Sequence, residues 1–249
     1  MKRIATTLLM LGMLTTAASA FADGVYQTLP FTQNWTNIAL ISVSDDWSGV
    51  PGIIGFRGDG LTGGTAVDPQ TVLTDDVTGV VDVNANNLNP NTFATGGVTE
   101  FDALPDPVVA LQGSATARAP YIQIHINAVG KQNLIVGCSL RDVDGSVDNS
   151  VQPIAVHFRV GTTGLWTNVP AAFVADASTG PSLAVAVTPV FVALPAAVNG
   201  QAQVQIRIMT TDAVGSDEWI GIDNITVEGT DIPTATAGRT WGAVKSLYR

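Results

Sequence analysis

The residues best suited to chemistry lie in one short run, Arg141-Asp142-Val143-Asp144-Gly145-Ser146-Val147-Asp148-Asn149. Asp142, Asp144 and Asp148 place three carboxylates on alternate and loop positions around a glycine, and Ca²⁺ takes about six to eight oxygens from loops of this kind. The run is not an EF-hand loop: its glycine is fourth, where that loop has it sixth, and the closing glutamate is missing. A polar turn closed by Asp and Asn side chains accounts for the same residues without a metal. A second chemistry is stacking. Trp35, Trp47, Trp166, Trp219 and Tyr121 are available, and an aromatic face against a pyranose is a general way to hold a polar ligand. Trp219 beside Ile220 and Trp47 in an apolar setting read as core. Trp166, next to the turn at Gly161–Gly164, is expected to be exposed, and with Tyr121 it makes the expected sugar-stacking pair.

Other constellations carry less. Gly58-Asp59-Gly60-Leu61-Thr62-Gly63 spells G-x-G-x-x-G, but Gly64 and Pro69 break the helix that a dinucleotide site needs after it. The only histidines, His125 and His157, sit on the polar phase of their strands and are expected on solvent faces. If strands 121–126, 133–140 and 153–160 meander in order, the middle one separates the two imidazoles by roughly 10 Å, too far to share a metal. Paired acids such as Asp45-Asp46 and Asp217-Glu218 are loop residues whose neighbours point apart. No nucleophile elbow, H-E-x-x-H, C-x-x-C or phosphate loop is present, so no enzyme is expected.

The elements that position these residues have a period of two. Tyr121-Ile122-Gln123-Ile124-His125-Ile126, Ile154–Val160 and Val204–Met209 alternate apolar with polar, as half-buried strands do. Val80–Val83, Val108–Leu111, Asn133–Leu140, Trp166–Val169, Val185–Leu194 and Trp219–Glu228 are further strand segments, and no stretch reads as a long amphipathic helix. The expected fold is all-β, a two-sheet jelly-roll-like sandwich. Ile220 and Ile222 are out of phase with Ile225 and Val227, which predicts a bulge at Asp223-Asn224. Residues 45–91, crowded with Gly, Asp and Asn, read as a long ordered Gly/Asp-rich loop packed onto the sandwich through Trp47, Ile53, Ile54 and Phe56.

The ends of the chain read as addresses. Met1-Lys2-Arg3, the apolar run from Ile4 to Thr16 and the Ala18-Ser19-Ala20 and Ala20-Phe21-Ala22 sites form a secretory signal peptide, 1–22, with cleavage expected after Ala22. The apolar run is shorter than the roughly 20 residues needed to cross a bilayer. Residues 23–228 are the sandwich, 229–238 a linker and 239–249 a short basic tail. In the tail, Trp241, Val244 and Leu247 or Tyr248 share one face of a helix that Thr240 would cap. The tail is expected to anchor the protein or to meet sorting machinery, unless it frays as termini do.

Of the 249 residues, 46% are hydrophobic and 13% charged, a globular profile. Eleven Lys and Arg face 21 Asp and Glu, a net charge of −10. Without the signal peptide the charge is −12, and without the tail as well it is −15, the opposite of a nucleic-acid footprint. The single cysteine, Cys138, allows no internal disulfide and reads as a buried structural thiol.

Several segments carry a family resemblance: Phe31-Thr32-Gln33-Asn34-Trp35, Asp45-Asp46-Trp47-Ser48-Gly49-Val50-Pro51-Gly52-Ile53, Arg57-Gly58-Asp59, Asp68-Pro69-Gln70-Thr71, Arg141-Asp142 and Asp217-Glu218-Trp219-Ile220-Gly221-Ile222-Asp223-Asn224-Ile225. Over residues 26–228 they resemble the N-terminal module of large secreted bacterial proteins, including extracellular nucleases of the endonuclease/exonuclease/phosphatase superfamily. In those chains the module accompanies the catalytic domain and is not itself the nuclease, so the resemblance implies an accessory role here. The Trp-x-Gly-x-Asp-Asn ending is also similar to the last strand of jelly-roll adhesion and carbohydrate-binding modules. The expected function is a secreted, extracellular or periplasmic, non-enzymatic interaction module stabilised by Ca²⁺, with a cell-surface protein or glycan as partner; the alternative is a carbohydrate-binding module.

Overall fold

The computed structural model describes residues 24–145, 150–178 and 186–233. The segment expected to be a signal peptide, Asp148 and the expected C-terminal tail lie outside the described residues. The chain is all-β, with short 3₁₀ turns as its only helical elements among the described residues. Two mixed sheets face each other as a sandwich.

The six-stranded sheet contains β1 (Gln27–Thr28), β3 (Ile53–Phe56), β7 (Tyr121–Asn127), β9 (Ala155–Val160), β10 (Thr167–Asn168) and β12 (Val204–Met209). Its order is β1-β7-β12-β9-β10, with β3 also pairing with β7. The seven-stranded sheet contains β2 (Phe31–Gln33), β4 (Asn84–Asn87), β5 (Gly97–Phe101), β6 (Val108–Gln112), β8 (Lys131–Asp142), β11 (Val187–Ala193) and β13 (Ile220–Asp231). Its order is β11-β8-β13-β6-β5-β4, with β2 on β13.

The alternation seen in the sequence builds the core. Ile122, Ile124 and Ile126 of β7, Val204, Ile206 and Ile208 of β12, and Val156 and Phe158 of β9 turn inward. They meet Leu134, Val136, Cys138 and Leu140 of β8 and Ile220, Ile222, Ile225 and Val227 of β13, all in one buried cluster. Burial pushes the Cys138 thiol up to about 12, so it is a packing group. Along β13 the register with β8 shifts between Asp223 and Thr226, and Asn224 has φ 49°. This bulge restores the inward phase for Ile225 and Val227. It also divides the far side of β13 between β6, which pairs with Ile220–Ile222, and β2, which pairs with Ile225–Val227.

Three expectations are corrected. The histidine strands do not meander through 133–140: β8 lies in the other sheet, and β12 is the strand between β7 and β9. Residues 45–91 are not one loop, because they hold β3 and β4; of Val80–Val83 only Val81 makes a bridge, to Phe56. The linker does not begin at 229, since β13 runs to Asp231. The segment after β3 is a strap that forms a partial third layer over the outer face of the six-stranded sheet, with its own small cluster of Leu61, Val67 and Val72 on Tyr121, Ala155 and Met209.

Candidate functional site

The strap decides the fate of the expected stacking pair. Trp166 is only 3% exposed, and Tyr121 is buried as well. The Trp166 backbone N–H donates to the carbonyl of Leu73 (2.8 Å), its indole N–H donates to Asp75 (3.0 Å), and its ring carries the guanidiniums of Arg159 at 4.3 Å and Arg207 at 4.6 Å. Arg207 is fully buried, donates to the carbonyls of Val72 and Thr74, and lies 5.4 Å from the Tyr121 ring. Burial brings its guanidinium down to about 10. The two rings fasten the strap and present no platform.

The histidines, expected on solvent faces, are also covered. His125 and Gln123 share a hydrogen bond of 2.9 Å, and His157 Nδ1 accepts from the Arg207 guanidinium. Desolvation and the neighbouring Arg207 charge hold His157 down at about 3, so it is a neutral acceptor.

Asp142 ends β8, Asp144 follows two residues later, and both are buried. One Asp144 carboxylate oxygen accepts the backbone N–H of Trp219 at 3.0 Å. Among the described residues no three carboxylates or imidazoles gather as a metal-binding group. Asp46 is spent on a turn, accepting the N–H of Ser48, and Asp45 ties its loop to a distant segment by accepting the N–H of Val83.

Asp144 and Trp219 border a cleft of about 690 Å³ at this end of the sandwich, which also takes in Phe93, Gln112, Arg118, Asp212 and Asp217. Its polar groups are already engaged: Arg118 pairs with Asp212, Gln112 donates to the Asp217 carbonyl at 2.7 Å, and Asp217 accepts the Ala213 N–H at 2.8 Å. Burial first, and then its hydrogen-bonded neighbour Asp212, raise Asp217 to about 6. The pair braces the loop.

A different surface has its groups unspent. Phe191 is 72% exposed, and it is the one exposed aromatic side chain among the described residues. It stands on the outer side of β11, between the inward Val190 and Val192. Its cross-strand partner is Gly137 on β8, Gly137 pairs with Thr226 on β13, and Thr226 pairs with Thr32 on β2. These four residues form one row across four strands, about 14 Å long at the usual strand spacing. A Cβ at Gly137 would lie 2.7 Å from the Thr226 hydroxyl and 3.3 Å from the Phe191 ring, so the bare glycine lets both lean over β8. At the β2 end, Thr32, Gln33, Asn34, Asn224, Ile225 and Thr226 line a hollow of about 280 Å³. The Asn34 carbonyl oxygen is used by Thr36 and the Gln33 carbonyl oxygen by Asn34 and Trp35. Both NH₂ groups, and the hydroxyls of Thr32 and Thr226, make no hydrogen bond to any described residue.

No family model and no curated protein matches the chain. Among solved structures it is similar to a carbohydrate-binding module, CBM28, specific for non-crystalline cellulose, with TM-score 0.41 and 15% identity over 59% of this chain and 97% of the other. It is similar to the Stig cyclase Fisc from Fischerella sp. TAU, with TM-score 0.44 and 13% identity over 82% of this chain and 100% of the other. A third is CBM27-1 of Caldicellulosiruptor saccharolyticus in complex with mannohexaose, with TM-score 0.37 and 10% identity over 59% and 91%. These values are too low to carry a functional argument, which rests on the geometry above.

Proposed function

We propose that the protein is an exported, non-catalytic glycan-binding module whose contact surface is the Phe191 row. The observation that carries the reading is the open Phe191 ring set beside hydroxyl and amide groups that the fold leaves unspent. An apolar ring face covers the C–H side of a sugar, and the neighbouring donors take its hydroxyls, which is how a polar ligand is held on a surface without a deep pocket. The sequence-based expectation of a stacking aromatic is kept, and its residue changes from Trp166 and Tyr121 to Phe191. The accessory role implied by residues 26–228 agrees with this reading.

The test is retention of the mature protein on insoluble polysaccharides. Phe191→Ala is expected to lower the apparent affinity about ten-fold or more, equivalent to about 1.4 kcal/mol, with the melting temperature unchanged. Retention equal to the parent protein refutes the assignment.

Export rests on the signal-peptide pattern of residues 1–22; N-terminal sequencing of the exported protein is expected to begin at Asp23. Sorting through 239–249 is tested by deleting the tail and following where the protein accumulates. Calcium at Asp142, Asp144 and Asp148 is proposed as a structural ion. The described residues supply two of the three carboxylates, well short of a full oxygen set, so the proposal depends on Asp148 and its neighbours. Saturating Ca²⁺ at about 100 times the dissociation constant adds about 2.7 kcal/mol. EDTA and millimolar Ca²⁺ are therefore expected to give melting temperatures that differ by roughly 5–10 °C.

A further inference from the structure

We infer that the Phe191 row takes the interior of an uncharged glycan chain lying across the strands. The inference rests on the proposed glycan-binding role and narrows it. Direction comes from the register: Phe191, Gly137, Thr226 and Thr32 are consecutive cross-strand partners, so the row runs perpendicular to the strands from β11 to β2. Both ends are open. β11 pairs only with β8, and β2 only with β13, among the described residues. A site without end walls does not count chain termini, and at about 14 Å it spans more than one sugar ring.

Charge selects against anionic polymers. The row itself contains an aromatic, a glycine and two threonines, and the hollow beside it adds two asparagines, a glutamine and an isoleucine. The basic side chain nearest along these strands is Arg141, and its guanidinium is spent on Asp223 at 2.9 Å and on Asp106 at 3.2 Å. Asp223 itself is buried and neutralised by that contact, whereas Glu228, two residues beyond Thr226 on β13, is exposed. The other basic side chain of these strands, Lys131, is likewise paired, with Asp231 at 2.6 Å, so a carboxylated or sulfated ligand would find both cations already engaged and a body at −15 around it. Donors are matched to a neutral ligand: the free NH₂ groups of Gln33 and Asn34 need acceptor oxygens, and the two hydroxyls serve as either partner. Ring stacking with neutral hydrogen bonds also makes the affinity nearly independent of salt, because no charge on the ligand is screened.

Two soluble polymers with the same backbone separate the terms: hydroxyethyl cellulose, which is neutral, and carboxymethyl cellulose, which is anionic. In affinity electrophoresis the mature protein is expected to be retarded by the neutral polymer and not by the anionic one. In solution, retention on the neutral polymer is expected to change less than two-fold between about 50 and 500 mM salt. Phe191→Ala and Gly137→Leu are expected to abolish the retardation. Asn34→Ala and Thr226→Val are expected to weaken it several-fold, each at an unchanged melting temperature. A neutral hexasaccharide is expected to compete at least about ten-fold better than its disaccharide. Equal or stronger retention by the carboxymethyl polymer, or binding that falls steeply with salt, overturns the neutral-ligand inference and leaves the glycan-binding role standing. Equal competition by the disaccharide overturns the chain-interior assignment. Retention of neither polymer, nor of a galactomannan control, overturns the glycan-binding role and this inference together.

Discussion

Replacing Trp166 by Ala separates a buried fastening from a binding surface. The indole is 3% exposed, so truncation removes a large buried side chain, at a cost of about 3–5 kcal/mol. It also removes two guanidinium–ring contacts, at 4.3 and 4.6 Å, each worth about 1 kcal/mol when partly desolvated. The hydrogen bond to Asp75 goes with them. A total near 5 kcal/mol, at about 2–4 °C per kcal/mol for a domain of this size, lowers the melting temperature by roughly 10–20 °C. Trp166→Phe keeps the stack and loses only the indole N–H and some area, so it is expected to fall by about 2–6 °C. Thermal unfolding followed by circular dichroism reads both variants. Glycan retention, measured well below either midpoint, is expected to match the parent protein. If Trp166→Ala melts within about 2 °C of the parent and loses retention, the indole is a contact residue and the strap does not cover it.

Three further outcomes follow from buried groups. Glu100 of β5 is held up at about 7, chiefly by burial, and Asp82 at about 6 by burial above all. Because the folded values are raised, their stabilising protonation is complete below the ordinary carboxylate range and is lost as pH climbs through 6 to 7. The urea midpoint is therefore expected to fall between pH 5 and pH 8. Glu100→Gln is expected to remove about 1–2 kcal/mol of that slope, with solvent screening allowed for, and an unchanged slope refutes the assignment. Asp223→Ala strands Arg141 beside Asp106 and frees the bulge, for an expected loss of about 2–3 kcal/mol in chemical denaturation, with Asp223→Asn milder. Cys138, its thiol pushed up to about 12, is expected to react with a disulfide reagent only after unfolding; rapid labelling of the native protein contradicts its burial.

The strands and the bulge were legible because each is a local matter of phase. Three isoleucines on alternate positions of β7 set one face inward, and the slip between Ile222 and Ile225 requires an extra residue whatever its neighbours are. The partners of those strands were not legible. A meander assumption joins 121–126 to 133–140, yet β7, β8 and β9 alternate between sheets, and no periodicity records which sheet a strand enters. Burial failed in the same way. His125, His157 and Trp166 occupy the polar phase, which is solvent-facing in a two-layer sandwich; here the strap adds a third layer over His157 and Trp166, and the Tyr26 ring, 5.1 Å away, covers His125. Phe191 was missed because every residue of Pro189-Val190-Phe191-Val192-Ala193 is apolar, so the run has no visible alternation. Only pairing with Cys138 and Val136 of β8 fixes Val190 and Val192 as inward and leaves the phenyl outside.

The fastening of the strap has a consequence for how freely its sequence can change. Arg207 grips the carbonyl oxygens of Val72 and Thr74, and the Trp166 N–H takes the carbonyl of Leu73. Carbonyls are the same whatever side chain follows, so the grip reads backbone shape and is blind to identity at these three positions apart from the buried Val72 side chain. The receptor half of the contact, on β9, β12 and the approach to β10, has no such latitude. Evolution or engineering can therefore rewrite the exposed side chains of the strap, apart from Asp75, whose carboxylate takes Trp166 and Arg159, while the clamp beneath it stays fixed.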